Sequence, residues 1–291
     1  VAKRKQRQVK PTKPTYDLDI IIPVYGQPDL LAKCLEALPE ACGPIRAHTI
    51  LVDDCGPEQD KLTEVYRSLN GTSRLVRNRQ NSGFAKTVNA GVSAGTSPYI
   101  LLLNSDVILQ PGAVPAMVSE FDDPAVGVVG CKLLFADSRW DHINKREMMG
   151  TVQHAGIAVN IRGQLYHVNL GWEADHPKVS KRREMQAVTG ACLMTRREVW
   201  RGILAEYKKF GDPTGGALNE VYERGTFEDV ELCLAAKAHG YKVIYTPHAV
   251  GYHYVGASVT QNSGQFPMNR NQMIFNARCG HLLQWDEYKY L

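Results

Sequence analysis

The stretch Tyr99-Ile100-Leu101-Leu102-Leu103-Asn104-Ser105-Asp106-Val107 decides how this chain is read. An apolar strand runs straight into a short polar tip that ends in a carboxylate. An unbroken apolar run of this length reads as a buried strand of a parallel sheet. In open α/β sheets, ligands bind outside the carboxyl ends of such strands. Asp106 then stands where a hard cation and a phosphate could meet, because Mg²⁺ is usually held by one or two carboxylates plus phosphate oxygens. The competing reading makes Asp106 a strand-end acid that caps the next turn.

Working outward, residues 18–24, LDIIIPV, read as a first buried strand, and Pro28 opens a helix whose leucines recur at helical spacing. HTILVDD, residues 48–54, is a second strand, and Pro57 begins a second helix that ends near Leu69. Ser73 to Arg77 is a third strand, and Gly83 to Gly95 a helix that leads into the opening stretch. Strands and helices alternate through short connections. The pattern predicts an α/β fold with a mostly parallel sheet and helices on both faces. No G-x-G-x-x-G follows the first strand, which argues against a dinucleotide fold of the standard kind. After Asp106 the spacing predicts a helix from Pro111 to about Phe121 and strands at Val126 to Cys131, Gln186 to Thr195 and Val243 to Tyr245. A short helix is expected over Arg196 to Ile203, and another over Glu228 to His239. Residues 136–185 read as loops and short strands over the sheet. Gly211 to Gly225 reads as a glycine-rich loop, a candidate lid.

The chain has 291 residues, 44% of them hydrophobic, which suits one large α/β domain or two small ones. No apolar run approaches the ~18 residues that span a bilayer, and no charged-then-apolar signal opens the sequence. The seven cysteines are scattered and odd in number, without C-x-x-C, against a disulfide framework or a zinc site and in favour of a reducing compartment. A cytoplasmic location follows as the expectation, with peripheral contact at the inner membrane face left open. Of the net charge of +4, six basic residues lie in the first 14 positions without an acid among them. The remainder carries 28 basic against 30 acidic residues, so the body is near −2. Residues 1–16 therefore read as a basic arm or linker.

Several residue groups could carry chemistry. Asp53 and Asp54 end the second strand and could accept from a base or from ribose hydroxyls, or cap the helix that follows. The segment 78–84, with Asn81, Gly83 and a helix N-terminus, makes a polar pocket suited to a phosphate or a nucleobase. Asn89 and Gly91 lie within that helix. Glu228 and Asp229 open a helix, where acids favour the helix dipole. A carboxylate there, beside the glycine-rich loop, could also take a hydroxyl proton. His154, His167, His248 and His253 are the histidines to weigh. His253 could complete a metal site with Asp106 or be structural.

In order along the chain, IIIPVYG, ILVDD, NRQNSGFAKTVNAG, LLLNSDVILQPGA, VQHAGIAV, AVTGACLMTRREVW, TFEDVELCLAAKAHGYKVIYTP and HYVGAS resemble the inverting, GT-A-type glycosyltransferases of family 2. The subgroup in view makes rhamnan, O-antigen or related surface glycans. The resemblance covers about residues 17–262 and leaves 263–291 as a C-terminal helical extension. It implies a Rossmann-like central sheet with an acceptor-side extension. It also implies an inverting, metal-dependent hexosyl or deoxyhexosyl transfer from a UDP, dTDP or GDP sugar to a glycan, a lipid-linked glycan or a protein. By this resemblance Pro23, Tyr25, Asp53 and Asp54 would line the base and ribose site, and Asn81, Gly83 and Asn89 would support the nucleobase and pyrophosphate. Asn104, Ser105 and Asp106 stand where the family has D-x-D, with Asp106 on a Mn²⁺ or Mg²⁺ ion that His253 can reach. Gly190 and Ala191, followed by Cys192, would back the donor sugar. Asp229 would be the general base, with Glu228 beside it.

The sequence departs from the family in three places. Asn104 replaces the first Asp of D-x-D. The loop before Asp229 lacks the family's Gly-Gly-Phe-Asp, so Tyr222 or Phe227 would have to supply the aromatic lid. Glu231 stands where E-D-x-D has its last Asp. The alternative function is a non-catalytic nucleotide-sugar or glycan binding module on the same fold. A nucleic-acid binder working through the basic arm is disfavoured and would show steep salt dependence.

Overall fold

The structure, a computed structural model, describes residues 16–69, 71–142, 145–254 and 267–290. The basic arm, apart from Tyr16, and the end of the HYVGAS segment lie outside these residues. The first half alternates as the apolar runs predict: β1 (Leu18–Val24), α1 (Pro28–Cys42), β2 (Ala47–Asp53), α2 (Gln59–Arg67), β3 (Ser73–Arg77), α3 (Phe84–Ala94) and β4 (Tyr99–Leu103). β5 (Val107–Leu109), α4 (Ala113–Val118) and β6 (Val126–Phe135) follow. A layer of short strands comes next: β7 (Trp140–Asp141), β8 (Arg146–Glu147), β9 (Val152–His154), β10 (Ile157–Val159), β11 (Leu165–His167) and β12 (Arg183–Glu184). The chain closes with β13 (Cys192–Arg196), α5 (Arg197–Lys209), α6 (Glu228–Ala238), β14 (Lys242–His253) and α7 (Met268–Cys279).

Among the described residues, ten strands join one sheet whose main path runs β12-β14-β6-β13-β4-β1-β2-β3. β1 pairs in parallel with β2 and β4, β2 with β3, and β14 with β6, while β13 runs antiparallel between β4 and β6. The period of two along each strand sorts its side chains onto two faces. Ile20, Ile22, Leu101 and Leu103 pack with α1, α2 and α4 on one face. Ile21, Ile100 and Leu102 pack with α3, α5 and α6 on the other. Burial on both faces is why these strands read as unbroken apolar runs. Gly91 permits the close approach of α3, since a Cβ there would fall 2.5 Å from Ile21 Cγ2.

One buried charge interrupts this pattern. Asp19, fully buried in β1, accepts from Arg197 Nη2 at 2.6 Å, from the Ser97 amide at 2.8 Å and from Ser97 Oγ at 2.8 Å. This ties the start of α5 to the amino-terminal edge of the sheet, away from the strand tips.

Three elements differ from the sequence reading. The strand expected over Gln186 to Thr195 is confined to Cys192–Arg196, because residues 189–191 cross the strand tips and line a cleft. The helix after it runs to Lys209. The short strand at Val243 to Tyr245 extends to His253 through a register shift between Thr246 and Val250. Pro247, which has no N–H to give a ladder, sits in that bulge. Beyond it β14 pairs antiparallel with β5, with His253 opposite Val107. The bulge therefore delivers His253 to the tip where Asp106 stands. Among the described residues no helix is long and apolar enough to cross a membrane.

Candidate active site

A cleft of about 350 Å³ opens at the carboxyl ends of β1, β2 and β4, where an open α/β sheet places its ligands. Pro23 and Tyr25 from β1 and its tip, Asp54 after β2, Asn81 and Gly83 before α3, and Asn104 to Asp106 after β4 line it. Gly190, Ala191, Glu228, Asp229 and His253 complete the lining. All of these are residues the sequence reading singles out.

Asp53 and Asn89 lie elsewhere, which corrects their expected place. Successive side chains at a strand end point opposite ways, so only Asp54 faces the cleft. Asp53 is buried behind it, accepting from the Cys55 amide at 3.1 Å and from Gln59 Nε2 at 3.3 Å. Asn89 Nδ2 donates to Leu218 O and to Glu220 Oε1, both at 2.8 Å. It ties α3 to the glycine-rich loop. Asp54 shapes the cleft floor, accepting the Ser82 and Gly83 amides at 2.8 and 3.0 Å.

The glycine-rich loop is packed into the fold. Ala217, Leu218 and Asn219 are fully buried. Tyr222 is buried and donates to Glu231, and Phe227 stacks on Phe275 with centroids 5.1 Å apart. Neither covers the cleft. Arg278 of α7 clamps the loop to α6, donating to Asp212 Oδ2 at 2.6 Å and to Glu231 Oε1 at 2.9 Å. Past this clamp the backbone takes positive φ at Arg224 (60°), Gly225 (115°), Thr226 (90°) and Phe227 (72°). Such a run in mostly non-glycine residues is strained and persists only when its surroundings hold it. Buried Asn271 of α7 does so, donating to Gly225 O at 2.9 Å and to Thr226 Oγ1 at 3.0 Å. Arg224, Gly225 and Thr226 thereby line the cleft; the sequence places them in the candidate lid and at the start of TFEDV but marks none of them as a site residue. Among the described lining residues Arg224 is the sole Arg or Lys, against the acids Asp54, Asp106, Glu228 and Asp229.

Asp106 and His253 meet, with Oδ1 and Nε2 3.4 Å apart and both residues buried. His253 Nδ1 faces Gln153 Oε1 at 3.4 Å, which leaves Nε2 turned toward Asp106. Asp106 Oδ1 and Asn104 Oδ1 are buried without a hydrogen-bond partner. Orphaned acceptors are costly unless something else satisfies them. A carboxylate oxygen, an amide oxygen and an imidazole nitrogen make a donor set that fits Mn²⁺ or Mg²⁺ when phosphate oxygens complete the shell. Among the described residues no group of three or more His, Cys, Asp or Glu side chains converges to hold a metal ion.

In the same cleft, Asp229 Oδ2 accepts the Gly190 amide and Oδ1 accepts the Val230 amide, both at 2.8 Å. Burial raises its pKa, and those amides oppose the rise. Burial and the adjacent Asp229 charge raise Glu228 too, up to about 8, and its Oε2 has no partner. Near neutral pH Glu228 keeps its proton, and the two backbone amides on Asp229 favour a charge there. A carboxyl whose folded pKa lies above its unfolded value binds protons more tightly in the fold. Its contribution is fully present below the ordinary 4.5 and is lost as the pH rises through about 8. Glu228→Gln, neutral at every pH, is expected to melt with wild type at pH 4. At pH 8 it should melt higher by roughly 10 °C, from about 4 kcal/mol of linkage at ~2–4 °C per kcal/mol. Equal melting temperatures at both pH values would remove the buried-carboxyl account.

Residues 19–204 match the family model for Glycosyl transferase family 2. The chain belongs to this family. It is 29% identical over 260 residues to the uncharacterized protein y4gI of Sinorhizobium fredii, a match covering 87% of this chain and 26% of that protein. It is 28% identical over 260 residues to the O-antigen biosynthesis protein RfbC of Myxococcus xanthus, covering 85% of this chain and 18% of that protein. This family 2 chain thus spans a minor part of these two relatives. Its fold is that of the crystal structure of GalNAc-T7 with UDP, GalNAc and Mn²⁺, at a TM-score of 0.61 and 13% identity, covering 96% of this chain and 50% of the other. The GT-A architecture expected from the sequence is the one observed.

Proposed function

We propose that the chain transfers a glycosyl group from a nucleoside diphosphate sugar to an acceptor hydroxyl, with inversion, in a single displacement assisted by a divalent cation. One observation carries this reading. A partnerless carboxylate oxygen beside His253 and a carboxylate held by two backbone amides line one cleft at the sheet's strand tips.

On this reading Pro23, Tyr25, Asp54, Asn81 and Gly83 frame the nucleoside, and Gly190 and Ala191 back the donor sugar. Asp106 and His253, with Asn104 beside them, would hold the cation, which when bound neutralises charge on the diphosphate. Arg224 adds a fixed positive charge to the same cleft. Asp229 takes the acceptor hydroxyl proton as that oxygen bonds to the anomeric carbon. The bond from that carbon to the diphosphate oxygen breaks, and the diphosphate leaves with the electron pair. Attack opposite the leaving group inverts the centre. Glu228, holding its own proton, does not compete for the one released.

The catalytic unit is residues 17–262, braced by the 263–291 extension through Asn271 and Arg278. The donor is a UDP, dTDP or GDP sugar. The named relative RfbC favours a surface glycan, free or lipid-linked, as acceptor. The test is turnover of a sugar-nucleotide panel with Mn²⁺ and glycan acceptors, with the product anomer read by proton NMR. Inversion supports the proposal. Retention, or no turnover of any donor, overturns it.

A further inference from the structure

The VQHAGIAV segment contains a histidine that the cleft does not use. His154 is fully buried behind the cleft wall. Its Nε2 lies 3.3 Å from the Gly156 amide and 3.3 Å from the Thr189 amide, and both donate to it. A ring nitrogen that accepts cannot carry a proton, so the proton sits on Nδ1. That Nδ1 lies 2.9 Å from His167 Nδ1, which must then accept. The donor and acceptor count thus leaves one tautomer for His154, set by its neighbours. Burial, aided by His167 and His253, also holds its pKa well below the ordinary value, which keeps the ring neutral.

The Thr189 amide is one residue from the cleft's working edge. The next amide, that of Gly190, donates to Asp229 Oδ2 at 2.8 Å. A Cβ at Gly190 would fall 3.1 Å from Asp229 Cβ, so the backbone itself abuts the acid. The two peptide planes are linked only through φ and ψ of Thr189. Anchoring one therefore limits the direction of the other.

We infer that His154, its tautomer set by the two amides at Nε2 and its ring held by His167, is a positioning residue for Asp229: it anchors the Thr189 amide and so aims the Gly190 N–H at the carboxylate. The inference rests on the reading of Asp229 as the base. His154 touches neither donor nor acceptor and acts through the backbone.

Two substitutions separate this role from simple packing. His154→Leu removes the acceptor. His154→Gln returns a side-chain oxygen near the Nε2 position. Loss of a supporting hydrogen bond of this kind costs about 10–100-fold. The expected result is a fall in kcat of that size for His154→Leu, with donor KM within about twofold of wild type, and recovery in His154→Gln. His167→Leu, which removes the acceptor that holds the His154 ring through Nδ1, should lower kcat in the same direction by a smaller factor. Equal losses in the Leu and Gln variants, a change in KM alone, or wild-type kcat in His154→Leu overturns the inference. Where His154→Leu does not fold, His167→Leu decides, and wild-type kcat there overturns it. Asp229→Asn is run alongside. Wild-type transfer in that variant removes the base itself, whereas a dead Asp229→Asn beside an unimpaired His154→Leu removes only the role of His154.

Discussion

Asp229→Asn is expected to lower kcat by about 10²–10⁴-fold, the usual weight of a positioned general base, and to leave nucleotide binding within about twofold of wild type. The substitution keeps the side chain's shape at the start of α6, and an amide oxygen still accepts from Gly190 or Val230. What disappears is a basic lone pair toward the acceptor. Glu228 is the only other acid at that helix start to line the cleft, and it holds its proton up to about pH 8, so it does not substitute at neutral pH. Steady-state kinetics with saturating acceptor, set beside calorimetric titration of the nucleotide with Mn²⁺, separates the two effects. A variant that turns over like wild type would strip Asp229 of its role. One that loses nucleotide binding as well would make it a donor-site residue.

The parts of this molecule that sequence reads well are those whose physics is local. β1 and β4 announce themselves because both faces are buried, leaving no polar residue to break the apolar run except Asp19 near the start of β1. Asp106 is legible because it ends such a run. Direction is harder. Nothing in the pair Asp53-Asp54 says which carboxylate faces the cleft, since the answer depends on which face of the sheet the loop before α3 folds over. Asn89 looks like a site residue by its neighbourhood in sequence, yet its amide is taken up by a loop some 129 residues later. The glycines of that loop read as mobility and act as close approach. A Cβ at Gly216 would fall 2.1 Å from Asn89 Oδ1. Asn271 is invisible for the same reason, because it braces Gly225 and Thr226 across about 45 residues with no spacing signal to betray it. Pairings of long sequence separation set the cleft wall, and these are what composition and periodicity do not encode.

Asp106→Ala makes the second large prediction, and it has two halves that only a cation ligand satisfies together. The first concerns the ligand. A nucleotide that binds the native state raises its stability by mass action, about 2.7 kcal/mol at a concentration of 100 Kd. Where the wild-type protein shows a melting shift for one of UDP, dTDP or GDP that grows when Mn²⁺ is added, Asp106→Ala is expected to lose the Mn²⁺-dependent part. His253 and Asn104 then remain as neutral donors, and no carboxylate is left at the tip to hold the charge. The second half concerns the protein without ligand. Asp106 is buried, and its Oδ1 receives no hydrogen bond. A structural acid in that position would be satisfied by donors, and its loss would lower the melting temperature. An acid kept for a cation is a burden on the unliganded fold, because a buried carboxylate oxygen that has only the 3.4 Å contact with His253, and no hydrogen bond, costs stability. Asp106→Ala should therefore melt at or above the wild-type temperature in the absence of metal, while failing to respond when metal and nucleotide arrive. A lower melting temperature with the Mn²⁺ response intact would return Asp106 to the turn-capping role that its sequence position also allows.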